Sequence, residues 1–395
     1  MTDPTPAPPP VAAPAGPPDR RPPDRPRRRR TVLGCLFPLV LLTLFGSLVA
    51  NVVLGLYALG DLPNINRAED RLDESFFLGD RSARDKVAIV KVEGVISDAG
   101  IEYPLQQLKR AASDRHVKAV VLRVNSPGGT VTASEELYQN IINLRDDTGR
   151  RFPGTGPKPV RVSMGGLAAS GGYYVAMAGH PVSAEVTTLT GSIGVFAMLP
   201  NAAGWLEDHR LRVELVKAGP IKASGSFFHE LSPQERQTWQ DMVDSAYDLF
   251  LDRIAAGRRT TKEKLRDEVV LRGEAVVRDD KGTAKRENGK DVTVPYTRVR
   301  ADGGTFTAAQ AKQFGLVDSI DDLPAVVRAA AKDAGLGRFR AVTYDQRQGV
   351  LDLLLADQAR QSAEAQALRT AGAALTPRLW YLAPSANGAI LTVNP

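Results

Sequence analysis

Thirty consecutive residues without a charge, Thr31 to Gly60 (TVLGCLFPLVLLTLFGSLVANVVLGLYALG), constrain the chain more than any other feature. About 20 apolar residues cross a bilayer as a helix, so residues 31–60 are expected to be a membrane span. The run Arg27-Arg28-Arg29-Arg30 precedes it, and Asp61, Glu69, Asp70, Asp73 and Glu74 follow. Positive charge is retained on the cytoplasmic side, which puts the N-terminus in the cytoplasm and everything after Gly60 on the far side. A cleaved signal peptide has an apolar core of about 7–15 residues, half of what is found here, so an uncleaved single-pass anchor is expected. Val32-Leu33-Gly34-Cys35 has the letters of a lipoprotein cleavage box, but such a box closes the apolar region and this one opens it.

Composition supports one folded body behind this span. Of 395 residues, 43% are hydrophobic and 24% charged, the balance of a globular chain. The single cysteine excludes an internal disulfide. Eleven of the 27 prolines lie in residues 1–26, with almost no large apolar side chain, so residues 1–30 are expected to be a disordered cytoplasmic tail. Its proline clusters suit an SH3-like partner, but a solvated extension is the favoured reading because proline-rich tails are common. The net charge of +6 is local, because +4 of it sits in residues 1–30. The remaining body is close to neutral, and no nucleic-acid partner is expected.

Residues 61–85 are polar and aperiodic, reading as a linker or short helix. From Lys86 the pattern changes. Val87 to Ile96 (VAIVKVEGVI) reads as a buried strand, Pro104 to Asp114 as a helix and Val117 to Asn125 as a second strand. A helix over Ala133 to Asn143 and a strand over Pro159 to Met164 continue the alternation, which predicts parallel strands with helical crossovers, an α/β fold. The folded domain is expected over residues 86–340, with a hairpin inserted at 272–300 and a C-terminal extension at 341–395. Val350 to Leu368 reads as a surface helix or an oligomer contact.

Three loops carry candidate chemistry. Asn125-Ser126-Pro127-Gly128-Gly129 joins a strand to a helix. It is an ordinary turn, or a place where the bare Gly129 amide meets a developing oxyanion. Ser163 to Gly179 (SMGGLAASGGYYVAMAG) places Ser170 among Ala168, Ala169, Gly171 and Gly172. Its hydroxyl is a helix N-cap or a nucleophile. Ala168 stands where the G-x-S-x-G elbow requires glycine. Thr188 to Phe196 (TLTGSIGVF) holds Ser192 between glycines, a tight turn or a hydroxyl that orients a base.

A serine nucleophile needs a base, and none of the four histidines, His116, His180, His209 and His229, has a convincing setting. Lysine serves instead when burial leaves its amine neutral. Lys222 lies among Pro220, Ile221, Ala223, Ser224 and Gly225, an uncharged and mostly small neighbourhood; on charge alone Lys217 looks interchangeable with it.

Five ordered motifs, NSPGG, SMGGLAASGGYYVA, TGSIGV, GPIKASGS with LSPQER, and FTAAQAKQFGLVD, resemble the signal peptide peptidase SppA (protease IV) family of bacterial membrane-bound serine proteases over residues 86–335. The resemblance implies a ClpP/crotonase-like spiral and a Ser-Lys dyad. By motif, Ser170 is the nucleophile, Lys222 the general base, Gly129 and Gly171 the oxyanion-hole amides, and Ser192 the partner that orients the lysine. It further implies a homo-oligomeric ring, with the dyad formed either within one chain or by a lysine that reaches a neighbouring subunit's serine, and no metal or cofactor. The implied reaction is cleavage of signal peptides and other apolar segments beside the bacterial inner membrane. Asp302-Gly303-Gly304 departs from the family pattern, which has an arginine before the apolar residue there. Two other classes compete: an inactive membrane scaffold of the same fold, predicting binding without cleavage, and an acyl-CoA enzyme, which explains neither the serine-lysine pairing nor the anchor.

Overall fold

A computed structural model describes residues 40–52, 72–148, 152, 156–279 and 282–346 and the backbone of 379–382. The expected tail at 1–30 and the helix expected at 350–368 lie outside these residues. The chain divides into two units, Met1–Ile65 and Asn66–Pro395. In the first, residues 40–52 form helix α1 with exposed apolar side chains. No helix among the described residues is long and apolar enough to cross a membrane. The span expected over 31–60 is therefore not met there, and 31–39 and 53–60 fall outside the description.

The second unit is a parallel-rich α/β sheet. In chain order it comprises β1 (Leu72–Gly79), β2 (Lys86–Ile96), α2 (Glu102–Ser113), β3 (Val117–Thr130), α3 (Val131–Asp146), β4 (Val160–Ala169), α4 (Gly171–Ala176), β5 (Val182–Ala184), β6 (Leu189–Gly191), β7 (Phe196–Ala197), α5 (Ala203–Asp208), α6 (Pro233–Arg258) and α7 (Lys262–Asp267). There follow β8 (Val269–Val276), β9 (Arg286–Glu287), β10 (Lys290–Asp291), β11 (Thr293–Val299), β12 (Thr305–Thr307), α8 (Ala308–Gln313), β13 (Ser319–Ile320), α9 (Leu323–Asp333), β14 (Arg340–Gln346) and β15 (Leu379–Leu382). The main sheet runs β1-β14-β2-β3-β4-β5-β13, and every neighbouring pair from β14 to β13 is parallel.

The continuous apolar runs of β2 and β3 follow from burial on both faces. Val87, Ile89, Ala119 and Val121 point to one side, against Val326, Val327, Ala330 and Ala331 of α9. Ala88, Val90, Val120, Leu122 and Val124 point to the other, into a larger core with Leu108 of α2, Leu137 and Ile141 of α3 and Phe250 of α6. Period-two alternation thus divides one strand between two cores.

The sheet exceeds the expected domain limits at both ends. Within the expected linker, residues 72–79 form β1, antiparallel to β14, with Leu72 opposite Gln346 and Gly79 opposite Arg340. β14 itself continues into the region expected as an extension and lies parallel to β2. Edge pairing between residues so distant in sequence leaves no local periodic signal. At 269–299, β8 and β11 form an antiparallel ribbon extended by β9 and β10.

A charged brace fixes the helices beneath the strand ends. Glu135 of α3 accepts hydrogen bonds from the Tyr174 hydroxyl of α4 and from Arg253 of α6 at 2.5 and 3.2 Å. Burial pushes the Glu135 carboxyl up, but the hydrogen bonds from Arg253, Tyr174 and Gln139 outweigh it and hold the group below its ordinary value of 4.5. A carboxyl whose value is lowered on folding contributes stability above its unfolded pKa and loses it as pH falls through the folded value. Glu135→Gln should therefore lower stability at pH 7 by about 1–3 kcal/mol in urea denaturation, with the difference narrowing as pH falls below the carboxylate range. A pH-independent difference would make the brace one of shape and not charge.

Candidate active site

Ser170 stands alone between β4 and α4, with φ 54° and ψ −117°. Positive φ is uncommon for a residue with a Cβ, and such strain persists only where the surroundings enforce it. The enforcement is backbone: the Ser170 N–H donates to Gly191 O at 2.7 Å, and Ser170 O accepts from Tyr174 N at 2.8 Å. The small residues around it have a steric reason. A Cβ on Gly171 would stand 3.0 Å from Gly129 N, and one on Gly172 would stand 2.7 Å from Ser126 O. Ser170 is fully buried, its Oγ has no hydrogen-bond partner among the described residues, and from the N-cap position its side chain makes no capping bond to α4. The N-cap explanation open at the level of sequence is thereby removed.

Three of the other expected site residues gather here. Gly129 ends the long β3, and a Cβ on it would meet Ile96 O at 1.8 Å, so no side chain fits. The same close packing brings the Gly129 amide against Gly171. Ser192, nearly buried with φ 51°, follows Gly191 and donates its N–H to Gly304 O at 2.8 Å. β6 lies parallel to the end of β4, with Ala169 opposite Gly191, and β12 pairs with β6 on its other side. The FTAAQ motif therefore braces the strand that holds the serine. Beside Asp302-Gly303-Gly304 the guanidinium comes from the ribbon: Arg298 pairs with Asp302 at 2.7 Å, donates to Thr305 O and lies 4.1 Å over the Phe306 ring.

Lys222 is not brought to Ser170 within one chain. It is exposed in a turn, and its amine makes no hydrogen bond or ion pair among the described residues. Lys217 is different: its Nζ donates to Pro220 O at 2.6 Å and lies 3.7 Å from Glu235. Glu235, which sequence reading passed over, is buried, closes a capping box with Ser232 at the start of α6 and lies 3.3 Å from His229 Nε2. One carboxylate thus ties the segment that carries Lys222 to the body. His180 lies beside Asp318 and His209 stacks on Trp205, so both have partners away from Ser170.

The C-terminal segment supplies a further element. β15 lies antiparallel to β3, with Tyr381 opposite Gly129 and Leu382 opposite Gly128, and antiparallel to β7, with Trp380 opposite Phe196. An extended strand occupies the backbone edge that includes the bare amide. No motif in the 341–395 region announced this, because such a contact uses main-chain groups.

A buried serine on a strained strand-to-helix junction, beside two glycines packed too closely for any side chain, makes this the candidate site for acyl transfer on an α/β fold. Residues 155–272 match Peptidase family S49. The chain is 31% identical over 255 residues to the putative protease slr0021 of Synechocystis, covering 65% of this chain and 76% of that protein. It is 31% identical over 276 residues to protease 4 of Salmonella typhi, covering 68% of this chain and 38% of the relative. With protease 4 of Haemophilus influenzae the identity is 36% over 188 residues, 46% of this chain and 29% of that one. The chain thus spans well under half the length of either protease 4. It belongs to peptidase family S49, the SppA and protease 4 family of proteases.

The glycine packing gives a paired test. Gly129→Ala should lower labelling of Ser170 by a fluorophosphonate about 10²-fold, the scale of one lost oxyanion donor. Gly166→Ala, whose nearest neighbour would be Asn125 Oδ1 at 3.9 Å, should label as the parent does. Equal labelling of all three proteins, followed by mass spectrometry, would remove Gly129 from the site.

Proposed function

We propose that the protein is a membrane-anchored serine endopeptidase that degrades cleaved signal peptides and other apolar peptide segments, working as a homo-oligomeric ring. The observation that carries this reading is Ser170, a hydroxyl kept buried, strained and unpartnered. In the mechanism, Ser170 Oγ attacks the scissile carbonyl carbon while its proton passes to the neutral amine of Lys222. The N–H groups of Gly129 and Gly171 hold the oxyanion, and the lysine returns the proton to the leaving amine. Water, deprotonated by the same lysine, then releases the acyl group.

The lysine reaches the serine of a neighbouring copy. Supporting this, Lys222 projects from a segment rich in exposed apolar side chains, Val213, Leu215, Val216, Ile221, Phe227 and Phe228, with Val216 97% exposed. Enclosing a lysine among such groups disfavours its charged form, as a general base requires, and Ser192 orients the amine. The body is read as a ClpP/crotonase-like spiral. Substrate adds as an antiparallel strand between β3 and β7, a reading supported by the seat that β15 takes there. Anchoring through residues 31–60 would place the site outside the cytoplasm beside peptides left in the inner membrane, raising their effective concentration.

Ser170→Ala and Lys222→Ala should each lower peptide hydrolysis about 10⁴-fold or more without changing the oligomer. Mixed oligomers of the two variants should regain turnover, since some interfaces then pair an intact serine with an intact lysine. Full activity in Lys222→Ala removes the dyad, and mixed oligomers without recovery remove the shared site. A chain ending at Gln346, which lacks β15, should bind a short apolar peptide with a lower KM. An unchanged KM would separate the β15 seat from the substrate path.

A further inference from the structure

Beside Ser170 a second hydroxyl is left over. Ser134 lies in the first turns of α3, fully buried, and its Oγ has no hydrogen-bond partner among the described residues. A serine inside a helix ordinarily returns its hydroxyl to the carbonyl four residues earlier; here that bond is not made. A buried hydroxyl without a partner is destabilising, and alanine would fill most of the same space without that cost.

Its position gives the unused donor a use. Ser134 Oγ lies 2.6 Å from the point a Cβ of Gly171 would occupy, and Gly129 N lies 3.0 Å from the same point. Hydroxyl and amide therefore lie together on the side of Gly171 where a Cβ would project, beside the residue whose own N–H is assigned above to the oxyanion. α3 reaches this place because it begins directly after Gly129, with Thr130 as its cap, accepting from Ala133 N at 3.3 Å. The Glu135 brace to α4 and α6 is attached at the next residue. The hydroxyl is therefore carried on the part of α3 that is most firmly tied to the nucleophile's helix.

We propose that Ser134 donates a third hydrogen bond to the oxyanion formed at Ser170, beside the amides of Gly129 and Gly171. The inference rests on the peptidase reading above and adds to it a side-chain donor. Its partner is present only while the acyl oxygen is charged, which accounts for a hydroxyl that has no partner among the described residues.

The test is steady-state hydrolysis of an apolar peptide by the full-length oligomer and by Ser134→Ala and Ser134→Gly, with thermal unfolding of all three. Ser134→Ala should lower kcat about 10²-fold, as loss of one oxyanion donor does, with KM within about two-fold and a melting temperature equal to or above the parent's. Ser134→Gly leaves room for a water in the donor's place and should recover part of the lost kcat. A purely structural Ser134 predicts the opposite split, a changed melting temperature with kcat preserved, and that result overturns the proposal. An active parent with an equally active, folded Ser134→Ala overturns the third donor alone. A parent that neither hydrolyses peptide nor labels at Ser170 overturns the peptidase reading, and this inference with it.

Discussion

The hydrogen bond from Ser170 N–H to Gly191 O is the contact on which the site depends. It ties the end of β4 to β6 where the chain must reverse into α4 through a positive φ. Without it the serine would relax toward an ordinary strand conformation and Gly171 after it would lose its close approach to Gly129. The neighbours serve that one turn. β12 braces β6 from outside, the absence of a Cβ at Gly171 and Gly172 lets α4 approach β3, and the Glu135 brace keeps α3 and α4 in register. A strained residue of this kind costs of order 1–3 kcal/mol, which is small against the two apolar cores that flank the central strands.

The central strands were legible in sequence because burial on both faces writes itself as unbroken Val, Ile, Leu and Ala. β2, β3, β4 and their crossover helices lie within a few residues of the ranges expected from that pattern. The edges were not legible. β1 has one side toward solvent and carries Asp73 and Glu74, so its sequence resembles a linker, and only its pairing with β14 makes it a strand. β14 and β15 lie past the expected domain limit for the same reason.

The site was legible in the side chains and illegible in the main chain. Ser170, Gly129, Gly171 and Ser192 stand together, and each belongs to a recognisable motif. The carbonyls of Gly191 and Gly304 that position two of them carry no side-chain identity, so composition cannot reveal them. Lys217 and Lys222 differ by geometry alone: one is engaged by Pro220 and Glu235, the other has no side-chain partner among the described residues. Ser134 was passed over because a serine in an amphipathic helix has no local signature, and only burial together with a missing partner marks it out.

The pairing of Leu72 with Gln346 makes the chain's entry into the sheet and its exit from β14 adjacent. The fold is therefore nearly a closed loop, with its two ends meeting at one seam. Joining 72 to 346 by a short connector and opening the chain in the exposed ribbon near 288 would keep the pairings from β1 through β14 and give up only those of β15 with β3 and β7, since termini that lie close together favour such permutation. The seam also makes the ends interdependent. Proteolytic removal of β1 would bare β14 along its whole length and move the sheet's edge from a strand that carries Asp73 and Glu74 to β14, an invitation to pair with another chain.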